Sequence, residues 1–123
     1  MSRPVAAVAS GGYLAEIVAV TFDPMPGYEA SIEAVVFIDT PFASRELVAS
    51  IAERLAVPLL DDVEATDLPL ALMAGDGAQR QELASGRELA TLIHRDVTVG
   101  PWVDIGPGVI ASPGVRLTGN VSV

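Results

Sequence analysis

The chain has 123 residues, half of them apolar, few aromatic, and a net charge of −9, which fits one packed domain or a domain plus part of another and excludes a disordered chain. The acidic balance leaves no basic patch for a nucleic-acid backbone, and no apolar run approaches the length of a membrane span or a secretory signal core, so a soluble cytoplasmic protein is expected. The absence of cysteine excludes disulfides and thiolate sites, and a single histidine, His94, argues against structural zinc.

Residues 4–9 (PVAAVA) predict a short buried strand, ended by Ser10-Gly11-Gly12. Residues 13–22 (YLAEIVAVTF) then read as a buried helix or, from their β-branched content, a strand. A strand, a glycine turn and a helix open a nucleotide-binding βαβ unit, although the full G-x-G-x-x-G fingerprint is absent. Equally, such a turn can simply connect a strand to a helix.

Residues 23–31 form a loop by their prolines and glycine, and 32–38 (IEAVVFI) a second buried strand closed by Asp39. An acid there can hold a ribose hydroxyl; it can also be an ordinary turn residue. Residues 44–55 place Leu47, Val48, Ile51 and Leu55 at helical spacing behind Ser44 as N-cap. A third short strand at 57–60, an acidic link at 61–67 and a fourth strand at 70–74 follow. Gly75-Asp76-Gly77 then leads into a helix at 78–85. Strands alternating with helices predict a parallel sheet covered on both faces, with the glycine turns after strands one and four at its carboxyl edge.

From Ile93 the sequence falls into sixes: IHRDVT, VGPWVD, IGPGVI, ASPGVR, LTGNVS and V. Every first position is apolar (Ile93, Val99, Ile105, Ala111, Leu117, Val123), and every fifth is valine (Val97, Val103, Val109, Val115, Val121). Gly100, Gly106, Ser112 and Thr118 supply a small or hydroxylated second position. This is the grammar of a hexapeptide-repeat parallel β-helix, in which about eighteen residues complete one three-sided coil. Short strands joined by Pro-Gly turns are the alternative, but a meander has no reason to hold register through five sixes. The expected fold is α/β: a Rossmann-like sheet domain over 1–92, docked without a linker on an incomplete left-handed β-helix over 93–123.

Ser10-Gly11-Gly12, Phe37-Ile38-Asp39, Gly75-Asp76-Gly77-Ala78-Gln79-Arg80 and Ile93-His94, in that order before the sixes, resemble the sialic acid O-acyltransferase and sugar-amine N-acetyltransferase family of left-handed β-helix enzymes. The resemblance spans essentially the whole chain. It implies acetyl-CoA-dependent acyl transfer to a hydroxyl or amine of a sugar or nucleotide sugar. It also implies a homotrimer in the full-length protein, with coenzyme A along the coils between subunits. Substrate-side residues carried over are Ser10, Gly11, Gly12, Tyr13, Asp39, Gly75, Asp76 and Gly77, with Arg80 beside them.

The sequence also departs from that family. Thr40 stands where a second acid often follows the first. The family's catalytic histidine lies in later coils, whereas this sequence ends at Val123, under two coils into the repeat. His94 matches the family's non-catalytic Ile-His pair at the junction. No catalytic residue and no metal ligand is therefore assigned, and the chain is expected to be an inactive portion of the enzyme. A non-catalytic sugar-nucleotide-binding module and a structural remnant are the other two readings.

Overall fold

A computed structural model describes residues 2–41, 43–73, 77–101 and 103–117. Its central strand, β1 (Arg3–Ala9), sends Val5, Ala7 and Ala9 into one apolar core and Ala6 and Val8 into a second. Apolar residues on both sides of a strand require both faces of its sheet to be covered. The first face is covered by α1 (Gly12–Phe22) through Leu14, Ile17 and Val20, and by α2 (Arg45–Leu55) through Val48 and Ala52. The second face carries the 3-10 turn Val63–Ala65 and α3 (Gly77–Ala84), which contribute Val63, Leu83 and Ala84.

The sheet is parallel, in the order β3-β2-β1-β4, with β2 at Ala30–Phe37, β3 at Leu59–Leu60 and β4 at Leu70–Leu72. These are the first four positions of the doubly wound dinucleotide-binding order. A bulge opposite Val5/Ala6 accommodates exposed Glu33. It lets Ile32 join the first core while Ala34, two residues on, joins the second.

Three local expectations are revised. Residues 13–22 are helical, although the helix is not wholly buried: Phe22 is 89% exposed and Tyr13 43%. The third strand starts at Leu59, not at residue 57, because the end of α2 takes Val57. Ala56 adopts a left-handed conformation (φ 57°) and the Val57 N–H donates to Ala52 O at 3.2 Å. The fourth strand ends at Leu72, and residues 74–76 lie outside the described ones.

Beyond the sheet, β5 (Leu92–Ile93) pairs in parallel with β7 (Ile110–Ala111), and β6 (Thr98–Val99) with β8 (Arg116–Leu117). In both pairs each residue meets the one eighteen positions on, as in Leu92 with Ile110 and Thr98 with Arg116. First-position Ile93, Val99, Ile105, Ala111 and Leu117 share one apolar cluster with Val97 and Val109. Fifth-position Val115 is outside that cluster and is 36% exposed. Val121 and Val123 lie outside the described residues.

The repeat segment docks on the sheet unit. Pro24 bridges His94 antiparallel, the Met25 N–H donates to Ile93 O at 2.8 Å, and Met25 and Tyr28 pack on the repeat cluster. Arg95 pairs with Asp23 at 2.8 Å. Gly108, at φ +83°, passes so close to α3 that its carbonyl accepts from Arg80 Nη2 at 2.8 Å.

Candidate functional site at the carboxyl edge of the sheet

Parallel order dictates which residues meet. The chain leaves β1 at Ser10, β2 at Ile38 and β4 at Met73, all on the carboxyl edge. The Ile38 N–H donates to Ala9 O and the Met73 N–H to Val8 O, each at 3.2 Å. Asp39 is thereby placed beside Ser10, with its carboxylate exposed. The chain turns from β1 into α1 on one face, and from β4 into α3 on the other. The crevice between β1 and β4 is therefore a topological switch point, where ligands of open α/β sheets bind.

Of the residues expected here, Ser10, Gly11, Gly12 and Tyr13 form one flank of that crevice, and Gly77 opens α3 on the other. Gly75 and Asp76 lie outside the described residues. Gly11 is buried in extended backbone (φ 175°), 3.7 Å from Ser44 N when a Cβ is built on it. The Ser44 N–H donates to Ser10 O at 2.8 Å, so the turn after β1 and the start of α2 are one unit. The two helix starts differ. Ser44 Oγ accepts from the Leu47 N–H and closes α2, whereas no side chain caps α1. An uncapped start favours an anion or a ligand oxygen.

Arg80, expected beside the substrate, is instead tied to Gly108 O and joins α3 to the repeat segment. His94 sits at the junction as expected: its Nδ1 accepts from the Asp96 N–H at 3.0 Å. That bond occupies the lone pair a general base needs and leaves the ring proton on Nε2 in the neutral form. Among the described residues no group of carboxylates and imidazoles is placed to hold a metal ion, and no helix is long and apolar enough to cross a membrane.

The sequence did not point to a cluster beside this edge, made of Phe37 at the end of β2, Arg45 in the first turn of α2 and Asp61 just after β3. The Arg45 guanidinium lies 5.3 Å from the centroid of the Phe37 ring and pairs with Asp61 Oδ1 at 2.5 Å. One signal was available in the sequence. A cation in a helix's first turn opposes the helix dipole and needs a local reason to be there.

A cavity of about 670 Å³ lies elsewhere, at the amino edge, between Arg3, Glu29, Pro69, Glu88, Thr91 and Pro107. Several of its polar groups are already engaged. Arg87, which also lines it, donates to the carbonyls of Val63, Thr66 and Leu68, while Thr91 Oγ1 bridges Gly106 O and the Gly108 N–H. The Glu29 carboxyl is held below its ordinary pKa by its own N–H and by the Gly27 N–H, which donates at 3.0 Å. The cavity is well made but its polar lining mostly serves the fold. The carboxyl edge keeps the uncapped start of α1 and the exposed acid Asp39.

The chain matches no family model, no curated protein and no solved structure. The family resemblance therefore rests on the motifs and their order.

Proposed function

We propose that this chain carries the substrate-binding site of an acetyl-CoA-dependent acyltransferase acting on a hydroxyl or amine of a sugar or nucleotide sugar. The observation that carries the reading is the parallel pairing of β5 with β7 and β6 with β8 at eighteen-residue intervals. It follows directly on a sheet with nucleotide-binding strand order. Eighteen residues per turn is the step of a three-sided hexapeptide coil, and the proposal takes that coil as left-handed. The combination suits the sugar acyltransferase family named above, and on this reading the protein is a cytoplasmic homotrimer.

On this reading the sheet edge holds the substrate. Backbone N–H groups at the start of α1 receive the diphosphate, Asp39 accepts from a ribose hydroxyl, and Gly77 lies on the far side. Acetyl-CoA is the acyl donor. Exposed Val115 and Arg116 on the second turn of the repeat have the apolar and cationic character that its pantetheine arm and phosphates need. Catalysis needs a base that His94 does not supply, since its Nδ1 is bonded to the Asp96 N–H. That observation favours a binding role for these 123 residues.

The test is chemical-shift mapping with a uridine diphosphate sugar. Shifts are expected at residues 10–13, at Asp39 and at Gly77, with affinity around the millimolar level, about −4 kcal/mol, since the acidic chain opposes a purely electrostatic grip. Asp39→Ala should weaken them. Shifts centred on Arg3, Glu29 and Glu88 would move the site to the amino-edge cavity and end the reading.

A further inference from the structure

We propose that Arg45 is the platform on which the base of a bound nucleotide stacks, an inference that rests on the carboxyl-edge reading above. A guanidinium is a flat cation with two faces and an edge of donors. In Arg45 the guanidinium carbon lies over the Phe37 ring, 5.3 Å from its centroid, and Nη1 donates to Asp61 Oδ1 at 2.5 Å. The side chain is nevertheless 52% exposed. Two contacts thus hold the guanidinium while half of the side chain meets solvent. Asp61 also neutralises a cation that the start of α2 disfavours.

Strand order says what would arrive at that face. With a diphosphate on the turn after β1 and the ribose on Asp39 after β2, the base extends away from the switch point, toward β2 and β3. Strands lie about 4.8 Å apart, so the carboxyl end of β3 is roughly 10 Å from that of β1. That is the reach of a nucleoside measured from its phosphate. Phe37 ends β2 and Asp61 follows β3, so the Arg45 plane lies where the base comes to rest. Stacking reads any base through its π face. The carboxyl edge therefore prefers a nucleoside diphosphate sugar to the same sugar without its nucleotide.

Two probes separate the base from the rest of the ligand: uridine diphosphate and ribose 5-phosphate, titrated calorimetrically against the whole chain. The wild type should bind uridine diphosphate the more tightly. Arg45→Ala should lower that affinity about tenfold and leave ribose 5-phosphate binding unchanged. Arg45→Lys, which keeps the charge but loses the plane, should behave like Arg45→Ala. Retained affinity in Arg45→Lys, or an equal loss for both probes in Arg45→Ala, would show a charge contact with phosphate and overturn the stacking role. Absence of binding by either probe to the folded wild type would overturn the carboxyl-edge reading itself, and the platform with it. Both Arg45 and Asp61 are half or more exposed, so folding of the variants is expected and is checked by their amide spectra.

Discussion

Leu92 and Ile93 are neighbours in a two-residue strand, yet their side chains complete different cores. Leu92 packs among Val5, Leu14 and Ile17 beneath the sheet, and Ile93 packs with Val97 and Ala111 inside the repeat. Strand alternation alone accomplishes this, since successive side chains leave opposite faces. Both residues are essentially inaccessible, so the sheet unit and the repeat share a wall one residue thick. Leu92→Ala and Ile93→Ala should each cost about 2–5 kcal/mol. In urea, wild type and variants alike should show one transition by far-ultraviolet circular dichroism and by Trp102 fluorescence. Two separated transitions would mean that the halves unfold independently.

Gly108 and Gly114 separate two reasons for a glycine. Both have strongly positive φ, +83° and +85°. A Cβ on Gly108 would lie 2.8 Å from Leu89 Cδ1 and 3.0 Å from Arg80 Nη2, whereas one on Gly114 meets nothing within 4 Å. Gly114→Ala should therefore cost only the left-handed backbone penalty, about 1 kcal/mol. Gly108→Ala should cost roughly 2–4 kcal/mol, because it adds crowding and disturbs the Arg80 hydrogen bond. Equal losses in thermal unfolding would refute the close approach.

Ala56 offers the reverse case. It holds a left-handed conformation at the end of α2 while its N–H donates to Ala52 O and Glu53 O. Glycine adopts that conformation without the Cβ penalty. Ala56→Gly should raise stability by about 0.5–1 kcal/mol, read as an increased denaturant midpoint at unchanged slope. A loss of stability would show that the unfolded chain's gain in freedom outweighs the relief.

Glu29 gives a pH signature. Its carboxylate is stabilised first by its own N–H and then by the Gly27 N–H, which lowers its pKa in the folded chain. The contribution to stability is fully present above the unfolded-state value and is lost as pH falls through the lowered folded value. In a carboxyl-carbon titration Glu29 should titrate below its ordinary value, and Glu29→Gln should remove its part of the acid-side loss of stability. A midpoint at or above the ordinary value would contradict the turn geometry.

The periodic parts of this fold were legible because burial imposes the period. The sixes from Ile93 follow from first-position aliphatics that must share one interior, and Ser44 announced α2 because a hydroxyl before an amphipathic run caps it. Residues 13–22 stayed ambiguous because Ile17, Val18, Val20 and Thr21 suit a strand. Tertiary context decides it: β2 and β4 occupy both sides of β1, and Leu14, Ile17 and Val20 then align on one helical face. The Arg45–Phe37–Asp61 cluster and the Asp23–Arg95 pair, 72 residues apart in sequence, were hidden because long-range pairs leave no local period. The amino-edge cavity was hidden for the same reason, being assembled from β1, the loop before β2 and the stretch leading into the repeat.

His94 is the remaining test of what these residues do chemically. Its Nδ1 accepts from the Asp96 N–H, its own N–H donates to Ala111 O at 3.1 Å, and it bridges Pro24. The His94 backbone closes the first turn of the repeat and anchors it to the loop after α1, and the ring holds the local turn through Asp96. Asparagine can present an acceptor close to the Nδ1 position, whereas alanine cannot. His94→Ala should cost about 1 kcal/mol of stability, and His94→Asn much less. Thiol release from acetyl-CoA by the 123-residue polypeptide, offered amino- and hydroxy-sugars and their uridine diphosphate forms, should stay at background in the wild type and both variants. Turnover in the wild type that vanished in His94→Ala and His94→Asn alike, with stability preserved in the asparagine variant, would make His94 the base. The bond to Asp96 would then have to open during the reaction.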